Sequence, residues 1–286
     1  MTTWQALFIG LLQGATELFP VSSLGHAVLL PSLLHWPFDQ ANATFLPFLT
    51  LLHLGTATAL LLLFRREWAR IVAGFVRAAV RGSIDGPDER LAMLLALGTI
   101  PAAAVGLFFI RPLTKNFAEP RVAAAMLIVN GVILLGTELL RRRSERHDVG
   151  REEQERDFKD VSQISVVAVA VVGLAQVLAL VPGISRSGVT ISGGLVAGLR
   201  HQDAAKFSFL LATPIIAGAS IVEVPSLFQH SLDGGTIAVY LVSTVIAGLA
   251  AYGSARFLIR YFRSGRLDPY GWYCAALGVV GLVLLR

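Results

Sequence analysis

Apolar residues in this chain fall into long uninterrupted runs, and the lengths of those runs predict its elements. Six are long enough to cross a bilayer core as a helix, which takes about 20 residues: 44–64, 91–110, 121–140, 207–224, 236–258 and 268–286. Four more, at 4–18, 24–35, 163–181 and 188–199, are too short to cross. The short runs form two pairs, each hinged on a polar break. The first break runs from Gln13 through Glu17, Pro20, Ser22 and Ser23 to His26; the second runs from Gln176 through Pro182, Gly183, Ser185, Arg186, Ser187 and Gly188 to Thr190. Half-length helices joined through Pro, Gly and Ser are the signature of a re-entrant hairpin. The expected fold is therefore an all-α polytopic membrane protein, with six transmembrane helices and two re-entrant helical hairpins.

Basic residues give the runs a direction. Residues 1–64 hold no Lys or Arg, loop 65–90 holds six, loop 141–159 seven, segment 225–235 none and 256–266 four. Loop 111–121 carries three, which weakens the contrast without reversing it. By the positive-inside rule, 65–90, 141–159 and 256–266 face the cytoplasm and both termini lie outside. Each half then holds one hairpin and three spans. Three is odd, so the second half enters the membrane inverted, and the two hairpins should meet near the midplane. The organisation expected is one integral membrane domain over 1–286: a first repeat at 1–140, a charged cytoplasmic linker at 141–160 and a second repeat at 161–286. Phe48-x-x-Leu51-Leu52 and Phe207-x-x-Leu210-Leu211 stand at similar distances after the two breaks.

Composition agrees. The 286 residues are 55% hydrophobic and 15% charged, with mean hydropathy +0.66, against about 25% charged in soluble domains. The net charge of +5 sits in loops between spans, which excludes a nucleic-acid-binding face and fits membrane orientation. A single cysteine, Cys274, rules out an internal disulfide and a thiolate metal cluster, and reads as a small core residue. The N-terminal run has no basic region before it and contains Glu17, so it reads as part of the fold rather than a signal peptide.

An ionisable group inside a membrane costs on the order of 3 kcal/mol on insertion scales and is a functional hypothesis by default. On a helix, Gln13 and Glu17 share a face at i, i+4. Pro20 ends that helix, Ser22 or Ser23 can cap the next, and His26 then falls in its first turn. In the second break Pro182-Gly183 turns the chain, and Ser185, Arg186 and Ser187 open a helix with Thr190 in its first turn. A helix N-terminus binds phosphate through free N–H groups and its dipole. Arg186 adds a planar fork of donors, and Gly183 and Gly188 admit close backbone approach. These parts suit phosphoryl transfer, with Arg186 neutralising charge, Glu17 or His26 as general acid or base, and Ser23 as nucleophile or phosphate ligand. Gln13, Ser22, Ser185, Ser187, Gly188 and Thr190 are the candidate phosphate contacts. A divalent cation, Mg or Ca, on Glu17 and the phosphates is a further option, since hard cations favour oxygen.

At these residues the sequence closely resembles the undecaprenyl-pyrophosphate phosphatase family, also called the bacitracin-resistance protein family. The resemblance rests on Gln13 to Glu17, Pro20 to His26 and Pro182 to Thr190, supported by Phe48 to Thr56, Arg65-Arg66 and Ala204 to Leu211. It covers essentially the whole chain. Gln13 is the permitted alternative to Glu, and Leu24 stands where the pattern leads us to expect threonine. The resemblance implies hydrolysis of undecaprenyl pyrophosphate, a polyprenyl lipid, to undecaprenyl phosphate and inorganic phosphate in the bacterial inner membrane. That reaction recycles the carrier for cell-wall glycans and confers bacitracin resistance. It further implies essential roles for Glu17, Ser23, His26 and Arg186 in a pocket opening to the outer side.

Plainer readings stand beside these. Glu17 could be a structural partner of Arg186, Ser22 only a cap, and Ser185, Ser187 and Thr190 only partners for broken-helix backbone. His53 reads as a hydrogen-bonded structural residue; His35, His147, His201 and His230 as solvated or interfacial; Asp85, Asp88, Glu89 and the charges of 141–160 as solvated loop. The rival function is a transporter, a polyprenyl-phosphate flippase holding phosphate on the same Arg186 without cleaving it. Besides substrate and membrane lipids, a homodimer is compatible with the chain but nothing in the sequence requires it.

Overall fold

A computed structural model describes residues 1–36, 44–114, 119–147, 161–227 and 232–285. Every regular element in them is helical: α1 (Thr3–Thr16), α2 (Ser23–Leu33), α3 (Phe45–Leu63), α4 (Arg65–Arg81), α5 (Pro87–Thr114), α6 (Pro120–His147), α7 (Val166–Leu178), α8 (Arg186–Val196), α9 (His201–Leu227), α10 (Gly234–Tyr261) and α11 (Asp268–Leu284), with one 3-10 turn at Val161–Gln163. The chain is an all-α, multi-pass membrane protein. Helices α3, α5, α6, α9 and α10 are long and apolar enough to cross a bilayer. Of the six expected spans, the last is α11, whose 17 residues stand at the short edge of the crossing range.

The four short runs are the short helices α1, α2, α7 and α8. At about 1.5 Å per residue, α1 reaches about 21 Å against a hydrocarbon core of about 30 Å. Their ends are locally specified. Ser165 caps α7 by accepting from Ala168 N–H at 3.1 Å, and Ser185 caps α8 by accepting from Gly188 N–H at 3.1 Å. Ser22 caps α2 from the left-handed region, φ +65°, a backbone state that is costly for a residue with a Cβ.

Small residues let the helices close on one another, as packing inside lipid requires. Helix α1 lies against α10 so tightly that a Cβ on Gly14 would sit 2.0 Å from the Ala247 carbonyl oxygen. Further close pairs are α7 with α5, α3 with α9, and α6 with α11, while α2 and α8 both pack on α6. Phe48, Phe207 and Phe209 are fully buried between these layers.

Three expectations are corrected here. Segment 65–90 is not a loop throughout: α4 occupies Arg65–Arg81, with Ile71, Gly74 and Ala78 buried and Arg66, Arg70, Arg77 and Arg81 exposed. Glu89 is buried rather than solvated. It accepts from the Asp85 and Gly86 backbone N–H groups at 2.8 Å and pairs with Arg77 at 3.1 Å, which closes the turn into α5. His201 is likewise not solvated, with its Nε2 lying 3.0 Å from buried Glu138. His230 and most of the 141–160 linker lie outside the described residues.

Candidate active site

Both helix breaks converge on one cavity of about 190 Å³. Glu17 leaves the C-terminal end of α1, Ser22 and Ser23 open α2, and Ser185 and Arg186 open α8; all five border the cavity. The polar residues share it with Leu46, Leu49, Leu180, Ile184, Ile215 and Ile216. The chamber is therefore amphipathic, its lining shared between charged or polar and aliphatic side chains.

Glu17 is the hub. Its Oε1 accepts from Arg186 at 2.8 Å. Its Oε2 accepts from the Ser23 hydroxyl and from Gln13 Nε2 at 2.7 Å, and lies 3.1 Å from His53 Nε2. Charge-assisted bonds of this kind are roughly twice as strong as neutral ones, so the carboxylate is held in a fixed direction. The α-helical spacing of Gln13 and Glu17 supplies one partner, while the other three come from separate elements. His53 Nδ1 faces the Leu49 carbonyl at 2.7 Å; a carbonyl only accepts, so Nδ1 carries a proton. Its Nε2 is then free to accept from Gln13, 3.0 Å away, or, when protonated, to donate to Glu17.

The remaining expected residues have other positions. His26 does not border the cavity. It is buried behind Ser22, with Nδ1–H donating to the Ser22 carbonyl at 2.7 Å and Nε2 2.7 Å from the Tyr273 hydroxyl. With its proton on Nδ1, a neutral ring accepts from Tyr273 at Nε2, and the two rings stack. Ser22 Oγ accepts from Gly25 N–H and Gly183 N–H, each at 3.2 Å, and so bridges the two breaks. Ser187 donates to the Phe19 carbonyl at 2.8 Å. Thr190 donates to the Arg186 carbonyl at 2.8 Å and lies 2.6 Å from the Ser208 hydroxyl, while Gly188 N–H is spent on the Ser185 cap. Ser187, Gly188 and Thr190 thus brace the second break from behind, away from the cavity.

Three partners of the site escaped the sequence reading of single motifs. His53 touches the acid instead of serving only its own helix, and a histidine inside a spanning run is the signal that marks it. Asn130 and Tyr273, on α6 and α11, support the breaks from outside the motifs. A buried amide in a span flags the first, but nothing in the sequence flags the second.

The chain matches the family described as "Bacitracin resistance protein BacA" over residues 6–280. It belongs to the BacA family. Curated relatives resemble it along their whole length. An "Undecaprenyl-diphosphatase" of Acidiphilium cryptum is 46% identical, covering 100% of this chain and 99% of that one. An "Undecaprenyl-diphosphatase 2" of Chromobacterium violaceum is 40% identical, covering 99% of each. An "Undecaprenyl-diphosphatase" of Mycolicibacterium paratuberculosis is 43% identical, covering 98% of this chain and 96% of its own. The family resemblance drawn from the two breaks therefore holds for the whole chain, and both motifs lie inside the matched residues.

Proposed function

We propose that this protein hydrolyses undecaprenyl pyrophosphate to undecaprenyl phosphate and inorganic phosphate. One observation carries the reading: a buried carboxylate, Glu17, is bonded on one oxygen to Arg186 and on the other to Ser23, in a cavity lined by both polar and aliphatic side chains. The names of the full-length relatives support the same substrate. A carrier that only holds phosphate would use Arg186 but would have no use for a serine hydroxyl aimed at a carboxylate.

The chemistry follows from the contacts. An incoming terminal phosphate takes over the guanidinium that Glu17 now holds, and the α8 N-terminus adds backbone N–H groups and its dipole. Glu17, released from Arg186, accepts the proton of the attacking hydroxyl, which belongs to Ser23 or to a water. The new P–O bond forms in line as the bond to the bridging oxygen breaks, and undecaprenyl phosphate leaves with that electron pair. If Ser23 attacks, Glu17 passes its proton to the departing phosphate, and water then cleaves the phosphoserine with the regenerated Glu17 carboxylate as base. His53 and Gln13 hold the carboxylate throughout, and the aliphatic wall accommodates the first prenyl units.

A divalent cation fits this site only with the substrate's help. Glu17 is the single carboxylate lining the cavity, and no three His, Cys, Asp or Glu side chains are grouped as a metal centre among the described residues. Among the described residues the buried Oε1 of Gln13 has no hydrogen-bond partner, but Gln13 does not border the cavity. The Glu17 carboxylate plus phosphate oxygens would form a hard donor set of the kind Mg and Ca take. The ion would neutralise phosphate charge.

The wider reading is an inverted pair of repeats, 1–140 and 161–286, in the bacterial inner membrane, with the hairpins re-entrant and the cavity opening to the periplasmic side. The pairing of α1 with α10 and of α7 with α5 supports it, since inversion exchanges those two pairs. Recycling of the lipid carrier and bacitracin resistance follow from the reaction.

The test is phosphate release from undecaprenyl pyrophosphate by the purified protein in detergent, with Mg or Ca supplied and then chelated. Release by the wild type is expected, with loss on chelation. No release under any of these conditions overturns the function, and an unchanged rate after chelation removes the cation.

A further inference from the structure

Asn130 lies on α6, outside both motifs, and is fully buried. Its amide touches both breaks at once. Nδ2 donates to the Pro20 carbonyl at 2.9 Å and lies 3.3 Å from Cys274 Sγ; Oδ1 accepts from Ser185 N–H at 3.0 Å. The two bonded groups are the ones the breaks leave without helical partners. Pro20 follows Glu17 by three residues, and Ser185 immediately precedes Arg186. A single amide therefore bridges the segment of backbone carrying the acid and the one carrying the arginine.

The surroundings leave that amide little choice of position. A Cβ on Gly188 would stand 3.0 Å from Asn130 Oδ1, and one on Gly183 would meet the Ala123 carbonyl oxygen of α6 at 2.3 Å. The second break is thus pressed onto α6 where Asn130 projects. Other links join the breaks directly, from Ser187 to the Phe19 carbonyl at 2.8 Å and from Ser22 Oγ to Gly183 N–H at 3.2 Å, but Asn130 holds the backbone of both breaks from a third helix. Asparagine is suited to the place because it offers a donor on one side and an acceptor on the other in one plane. Aspartate lacks the donor, and leucine lacks both.

We propose that Asn130 is a positioning residue for the hydrolysis, registering the first hairpin against the second so that Glu17 and Arg186 address one phosphate. It touches no reacting atom. Its effect passes through the Pro20 carbonyl and the Ser185 amide. The proposal rests on the phosphatase reading above, and misplacement by about 1 Å is the scale at which catalysis falls by about a hundredfold.

The experiment compares wild type, Asn130→Leu and Asn130→Asp in three measurements. With undecaprenyl pyrophosphate, kcat should fall by roughly ten- to a hundredfold in both variants while KM changes by less than about threefold. Repeated in an Arg186→Lys background, where the register is already spoiled, the same Asn130 substitutions should cost only about twofold more, because residues acting as a unit are not additive. Hydrogen exchange of the peptide containing Ser185 should quicken in Asn130→Leu and stay near wild type in Asn130→Asp, which keeps the acceptor. A kcat within twofold of wild type in a folded Asn130→Leu, or equal fractional losses in both backgrounds, overturns the proposal. If the wild type releases no phosphate, the phosphatase reading fails by itself. The exchange pattern still reports on the clamp, and unchanged exchange in Asn130→Leu removes it.

Discussion

Two buried glutamates in this molecule have nearly the same neighbours and different prospects. Glu17 lies 3.1 Å from His53 and 2.8 Å from Arg186; Glu138 lies 3.0 Å from His201 and 3.9 Å from Arg266. Around Glu138, however, the same Oε2 also accepts from Leu267 N–H at 3.2 Å. There it ties α6 to the start of α9 and to the turn before α11. Among the described residues no hydroxyl bonds to it, and it does not border the cavity. Glu17 stands where two helices break, beside a serine hydroxyl and open space. A buried acid with a histidine and an arginine is therefore not a site by itself. The helix break makes the difference, because it brings a hydroxyl, a helix N-terminus and room for a ligand to the carboxylate.

The comparison can be broken most sharply by removing the charge of each acid in turn. Glu17→Gln should lower phosphate release by roughly a thousandfold, within the range for loss of a general base, with little change in melting temperature. Glu138→Ala should do the reverse. Release should stay within a few-fold, and the melting temperature should drop by several degrees, since removing one partner of a buried pair costs about 3–5 kcal/mol. Equal activity losses in the two variants would erase the distinction. A smaller effect sharpens it: His53→Asn, measured by steady-state release, should cost about tenfold in kcat, as Glu17 loses one of its four partners. Smaller again is Tyr273→Phe, which removes the hydroxyl that fixes His26 behind Ser22. It should slow turnover by no more than about threefold, the effect of one hydrogen bond two contacts away from the chemistry. A loss as large as that of Glu17→Gln would place His26 at the reaction centre instead.

The short-range part of this structure is legible in the chain. Run lengths separate five crossing helices from the shorter ones because the bilayer imposes a length, with α11 at the boundary. Pro20 and Pro182-Gly183 mark the breaks, and Ser22 and Ser185 mark the caps. Glu17, Ser23 and Arg186 meet as their motifs imply. Helix α4 is missed because arginine density reads as a loop, although Arg66, Arg70, Arg77 and Arg81 recur at helical spacing opposite Ile71, Gly74 and Ala78. The rest is hidden because it is long-range: His53 reaches Gln13 across 40 residues, and Tyr273 reaches His26 across 247. Which face of a uniformly apolar helix turns toward the site is set by small-residue packing such as Gly14 on Ala247, and hydropathy carries no trace of it. The same blindness covers Ser187 and Thr190. Their residue types are right, but only the tertiary fold shows them turned to Phe19 and Ser208.

The central claim is a division of labour, in which the second hairpin holds the phosphate and the first acts on it. It is tested most directly by equilibrium binding of labelled undecaprenyl pyrophosphate to folded Glu17→Gln and Arg186→Gln, measured side by side with wild type. The expected result is that Glu17→Gln binds the lipid at least as tightly as wild type without turning it over, while Arg186→Gln loses binding by tenfold or more, about 1.4 kcal/mol. Equal binding losses in the two variants, or undiminished binding in Arg186→Gln, would contradict it.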